Sequence, residues 1–181
     1  INNFFIFYLS YIFIAVSVII LWMIIPSISL LIFLIVASHH FGKEDTQFLI
    51  IKNSYLNQLL FLLKGSMIIL TPMYFHFDDT ISIFKFLLIE DESFYEFLNL
   101  IETNKILLYG IIISTLSSII LFTKNFELKK FSIFLDYFSI LIINYFFSPL
   151  IAFTIYFCFL HSVRHSISLM YELDKNDLTN G

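Results

Sequence analysis

An apolar run extends from Phe4 to Ile25 without a charged side chain and stops at Pro26. A bilayer core asks for about 20 such residues in helical form. Proline removes a backbone donor and disfavours helix at the residue before it, so the first span ends there. Ser27 to His40 is a shorter run of 14 residues that stops at Phe41-Gly42, where glycine permits a helix to end. It would reach only part-way across unless the helix continues through the histidines, so His39 and His40 belong near the interface or in a polar cavity. Tyr55 to Phe75 is a third span; its Lys64 is expected to snorkel and its Pro72 to kink the end. From Phe77 to Lys105 aromatic residues alternate with Asp78, Asp79, Glu90, Asp91, Glu92, Glu96 and Glu102, the pattern of an extramembrane loop with amphipathic helices on the surface. Lys105 to Thr123 is a fourth span, Phe131 to Ser148 a fifth and Leu150 to about Leu173 a sixth. Pro149 divides the last two, and the polar tail from Asp174 to Gly181 is expected to fray.

Composition agrees with this pattern. With 59% hydrophobic and 13% charged residues, the chain is more apolar than a soluble domain at about 45 to 50%. The reading is an all-α, polytopic transmembrane helix bundle, one domain over residues 1–181 with about six spans. The sequence runs from Ile1 straight into apolar residues, with no basic region or small-residue cleavage site, so it is not a signal peptide and reads as part of a longer bundle. Lys124, Lys129 and Lys130 crowd one short loop, which is therefore expected on the cytoplasmic side. The single cysteine, Cys158, excludes an intrachain disulfide and reads as a small packing residue. A net charge of -4, scattered along the chain, points to no nucleic-acid partner.

Ionisable groups inside spans carry the chemistry. Each costs about 2.5 to 3.5 kcal/mol to insert and faces a functional interior by default. Tyr156-Phe157-Cys158-Phe159-Leu160-His161-Ser162-Val163-Arg164-His165 places two histidines and an arginine in a spanning segment. Residues four apart lie one above the other on a helix, so His161 and His165 can aim at a single metal ion. The competing explanation is an interhelical hydrogen-bonded pair with Arg164 as an interface anchor. Of the adjacent His39 and His40, which project about 100° apart, His40 is the better candidate, with Asp45 near enough to accept from a ligand imidazole. Asp136, inside the fifth span, could orient an imidazole in the same way, or pair with Lys129 or Lys130 at the membrane face. His76, beside Asp78 and Asp79, reads as an interfacial hydrogen-bonded residue. No Glu follows His161 directly, so the zinc-protease pattern is absent. Imidazoles suit iron, copper, zinc and nickel alike.

Two segments, Ser38-His39-His40-Phe41-Gly42-Lys43-Glu44-Asp45 and the run from Pro149 through His161-Ser162-Val163-Arg164-His165, closely resemble the histidine motifs of the bacteriorhodopsin-related Brp/Blh family. Members of that family are membrane β-carotene 15,15'-dioxygenases, which split β-carotene with O2 into two molecules of retinal. The resemblance implies that His40, His161 and His165 are ligands of a catalytic non-haem Fe(2+), and gives His76 no ligand role. It also implies a fourth ligand histidine in a motif upstream of Ile1 and further helices after the paired histidines. An apolar tunnel would admit the substrate, with Tyr156, Phe157 and Phe159 as candidate wall residues. The implied setting is a bacterial or archaeal plasma membrane, with a functional link to a retinal-binding rhodopsin. Two rival readings stand beside it. One is a non-catalytic carotenoid- or retinal-binding membrane protein whose histidines form a polar cluster. The other is a bis-histidine haem protein, against which the 161/165 spacing argues because haem ligands approach from opposite faces.

Overall fold

The computed structural model of the protein describes residues 2–46, 54–87, 90–123, 132–163, 165, 166, 169 and 170. All regular structure among them is helical. The lysine-rich loop at Lys124, Lys129 and Lys130, together with Arg164 and the Asp174–Gly181 tail, lies outside the described residues.

Helix α1 covers Asn2–Ile24 and α2 covers Pro26–Thr46. Pro26 ends the first and occupies the opening position of the second, where its missing N–H costs nothing. From Phe4 to Ile25 every side chain except Trp22 is exposed, as a lipid-facing helix demands. Helix α2 does not stop at Gly42, as the sequence suggested, but runs on to Thr46. The glycine serves helix packing instead. Helices α3 (Tyr55–Gly65) and α4 (Met67–Phe75) form one 21-residue apolar segment broken only at Ser66. Ser38 and Gly42 on α2 meet Phe61 and Gly65 on α3 backbone to backbone. Small residues four apart let two helices approach this closely, and in lipid such packing supplies much of the association.

Pro72 sits inside α4 without ending it; the break comes at His76, whose backbone (φ -138°, ψ 57°) leaves the helix. Helices α5 (Phe77–Phe86) and α6 (Glu92–Thr103) are the amphipathic pair expected of the acidic region. Their apolar faces turn into the protein, however: Phe84, Phe94 and Leu98 join Leu30, Met73, Phe77 and Leu107 in the largest core cluster. Asp91 caps α6 by accepting from the Phe94 N–H at 3.1 Å, and accepts from the Ser27 hydroxyl at 2.7 Å, tying α6 to the start of α2. Lys105, in left-handed conformation at φ 57°, turns the chain into α7 (Ile106–Thr123). The bend between α6 and α7 is 66°.

Helix α8 covers Ser132–Phe146 and α9 covers Pro149–Ile155, which continues without a break as a π-helical segment over Tyr156–His161. Among the described residues three helices are long and apolar enough to cross a membrane: Phe4–Ile24, Pro26–Thr46 and Tyr55–Phe75. The bent α6–α7 pair adds a fourth if it is one span, and the described parts of α8 and of α9 with its continuation are shorter than a crossing requires.

Candidate metal centre

The C-terminal end of α2, the end of α3 and the π-helical segment meet at one carboxylate. Lys64 Nζ lies 3.6 Å from Asp45 Oδ2, and both side chains are buried, at 5% and 2% exposure. Lys64 therefore does not snorkel. Its place beside Gly65, at the crossing with Gly42, directs it inward to Asp45, because the two backbones touch there. The Tyr156 hydroxyl donates to the same Oδ2 at 2.9 Å. The other oxygen, Oδ1, faces His161 Nδ1 at 3.5 Å.

The π-helical segment is what lets Tyr156 and His161 share this partner. At 3.6 residues per turn, positions five apart in an α-helix diverge by about 140°. Bonding between residues i and i+5 returns them to one side, and such segments recur at functional sites. The His161 ring is held by neighbours on its faces and edge. Phe41 meets it edge-on with centroids 4.9 Å apart, and Phe157 stacks on it at 5.7 Å.

A second contact repeats the first one residue away. His165 Nδ1 is 3.2 Å from Glu44 Oε2. Consecutive carboxylates on α2 thus face the Nδ1 atoms of histidines four apart, whose rings are parallel to within 4° at a centroid separation of 6.4 Å. The His40 ring is 5.9 Å from that of His161. The structure brings together the three histidines singled out by the sequence. Their convergence is approached rather than closed: among the described residues no three His, Cys, Asp or Glu side chains stand close enough to hold a metal ion. His40 and His165 are exposed, so both rings have room to turn, whereas His161 is buried.

The donor chemistry suits a metal. His161 Nδ1 is a buried nitrogen with no hydrogen bond among the described residues, facing a carboxylate. Carboxylates set against Nδ1 leave Nε2 as the outward atom, the arrangement that orients and strengthens imidazole ligands. The remaining histidines are accounted for by hydrogen bonds. His39 Nε2 pairs with Gln58 Oε1 at 2.7 Å, and His76 Nε2 lies 2.8 Å from the Asn144 carbonyl oxygen with Asp79 at 3.8 Å from its Nδ1.

Asp45, proposed from sequence as a partner of a ligand imidazole, addresses His161 rather than its neighbour His40. Asp136 is buried on α8, one turn before Ile140, which packs with Tyr156 and Ile68. An apolar cavity of about 210 Å³ adjoins the cluster, walled by Phe33, Phe41, Ile68, Met73, Phe153 and Tyr156 among others. Of the expected wall residues, Tyr156 lines it; Phe157 stacks on Phe153 behind that wall. Phe159 is 70% exposed and lines no part of this cavity. Cys158 is exposed as well, not packed. A second apolar cavity of about 410 Å³ lies between α2, α3, α4, α5, α6 and α7, and Leu34, Ile69, Met73 and Phe84 line both. Sequence reasoning missed Glu44, Lys64, Phe41 and Phe153. A lysine in an apolar segment one residue off the span centre, with an aspartate at the end of the preceding helix, was the available signal for the Lys64–Asp45 pair.

The fold and cluster define a membrane-type helical bundle with a histidine–carboxylate centre beside an apolar cavity. The chain belongs to the beta-carotene 15,15'-dioxygenase family, whose model matches residues 1–181. No curated protein and no solved structure matches the chain.

Proposed function

We propose that this protein cleaves β-carotene at its central double bond with O2, giving two molecules of retinal. The observation that carries this reading is the paired contact of Asp45 with His161 and Glu44 with His165, set next to an apolar cavity in a chain of this family. His40, His161 and His165 would hold Fe(2+) through imidazole nitrogen. Bound iron would supply the activation of O2 that an unactivated hydrocarbon requires.

The chain's own residues do the rest. Asp45 and Glu44 orient the paired imidazoles by facing their Nδ1 atoms. Phe41 and Phe157 fix the His161 ring by contact on its edge and face. The cavity walls take up the polyene, and Phe41 and Tyr156, which belong to both cavity and cluster, bring it up to the histidines. Positioning selects one double bond among many of similar reactivity. The same apolar lining excludes water from the reacting carbons. Asp136 is a further buried carboxylate in this half of the bundle, proposed to support the centre from α8.

A non-catalytic carotenoid- or retinal-binding role draws on the same cavity and on the separation of the three rings. Expression of the full-length protein in carotene-producing cells separates the two. Loss of orange colour with appearance of retinal supports cleavage, and retained carotene bound to the purified protein supports the carrier.

A further inference from the structure

We propose that Lys64 and Tyr156 are positioning residues that clamp one oxygen of Asp45 so that its other oxygen is presented to His161. The inference rests on the metal-centre reading above. It gives Lys64, which lies outside both histidine motifs, and Tyr156, expected only as a wall residue, a shared role on Asp45.

The division of labour on the carboxylate carries it. Lys64 Nζ at 3.6 Å and the Tyr156 hydroxyl at 2.9 Å both address Oδ2, while Oδ1 faces His161 Nδ1. A carboxylate gripped through one oxygen from two directions loses its rotational freedom, so the direction of the second oxygen is set. An imidazole facing that oxygen is held with its proton on Nδ1 and its Nε2 lone pair outward. His161 is thereby fixed as the anchor around which the exposed His40 and His165 can close.

The cost of the arrangement argues for such a role. Burying an ammonium and a carboxylate costs several kcal/mol per ion even after relaxation, and an apolar pair of similar volume is often as stable. A lysine in a spanning segment ordinarily escapes by extending to the interface. Here the glycine crossing turns Lys64 inward, and the π-helical register brings Tyr156 to the same side as His161. Two unusual backbone features thus converge on one carboxylate.

The test uses the full-length protein in detergent, with ferrous iron affinity from chelator competition and thermal unfolding read in parallel. Lys64→Met leaves Asp45 buried without its ammonium, so it lowers both. Tyr156→Phe keeps the fold and lowers iron affinity about 10- to 100-fold, the usual effect of removing a group that orients a ligand. The neutral pair Asp45→Asn with Lys64→Met restores the unfolding temperature but leaves iron affinity reduced. Restoration of affinity along with stability would mean that the pair is purely structural and would overturn the inference, as would wild-type affinity in a folded Tyr156→Phe protein. Wild-type protein that takes up no iron at all would overturn the metal-centre reading itself, and this inference with it.

Discussion

Gly42 on α2 lies against Gly65 on α3 with no room for a side chain on either. A Cβ at 42 would fall 1.8 Å from the Phe61 carbonyl oxygen, and one at 65 would fall 1.7 Å from that of Ser38. The obstructing atoms are backbone, so the helices themselves would have to part. Gly42→Ala and Gly65→Ala should each destabilise the protein by about 1 to 3 kcal/mol, the range for overpacking a tight core. Both should also lower iron binding, because Lys64 and Asp45 move apart with the helices. Gly110→Ala is the control: its Cβ would meet only the flexible end of Leu70, at 2.9 Å. Thermal unfolding of the three variants in detergent checks the order.

The five histidines should divide into two groups. Replacing His40, His161 or His165 by Ala should abolish retinal formation while leaving membrane insertion intact. Replacing His39 or His76, which spend their rings on Gln58 and on the Asn144 carbonyl, should cost about 0.5 to 1.5 kcal/mol of stability and leave substantial activity. Retinal produced per cell in carotene-producing cells, normalised to protein in the membrane, provides the measurement. Complete loss on replacing His76 would place its ring in the centre and contradict this division.

Ala37 lines the cavity beside Phe41 and is small enough to leave it open. Ala37→Phe should fill the space and reduce carotene turnover at least about tenfold through misplacement of the substrate, with iron content unchanged. The same turnover with unchanged iron would show that substrate enters elsewhere. Phe159→Ala, at an exposed position away from the cavity, should have little effect on either quantity.

Much of the helical order was legible from residues alone. Pro26 and Pro149 mark real junctions, the Tyr55–Phe75 segment has the bounds its hydropathy suggests, and the acidic stretch forms two amphipathic helices. Local pattern failed where tertiary packing decides. Gly42 carries the local signature of a helix end, yet it is a contact surface, and only the facing Gly65 reveals that. Lys64 resembles any interfacial lysine until the crossing directs it to Asp45. Phe159, expected in the tunnel wall, and Cys158, expected in packing, are both exposed, in a segment that bonds from i to i+5 and whose register aligns Tyr156 with His161. The pairing of His161 and His165 was visible in their spacing; the adjacent carboxylates that address them sit more than a hundred residues away in sequence.

Asp91 gives the structure an acid-sensitive joint outside the membrane spans. The Ser27 hydroxyl first, and the Phe94 N–H after it, hold its carboxyl below the ordinary value of 3.8. A group lowered in this way adds stability that is fully present above its ordinary pKa and is lost as the pH falls through the lowered one. Docking of α6 onto α2 should therefore hold above about pH 4 and loosen below it. Asp91→Ala should remove that dependence, while Phe94 and Leu98 still hold α6 to the core. Amide hydrogen exchange of α6, compared on either side of this pH, reads the effect.

Iron binding and retinal formation are proposed to share one site. The direct measurement is iron content and retinal production by purified full-length protein given β-carotene and O2, with His161→Ala beside the wild type. The wild type is expected to carry stoichiometric iron and yield retinal, and the variant to lose both. Iron-free wild-type protein that still yields retinal, or a His161→Ala variant that keeps both, would contradict the shared site.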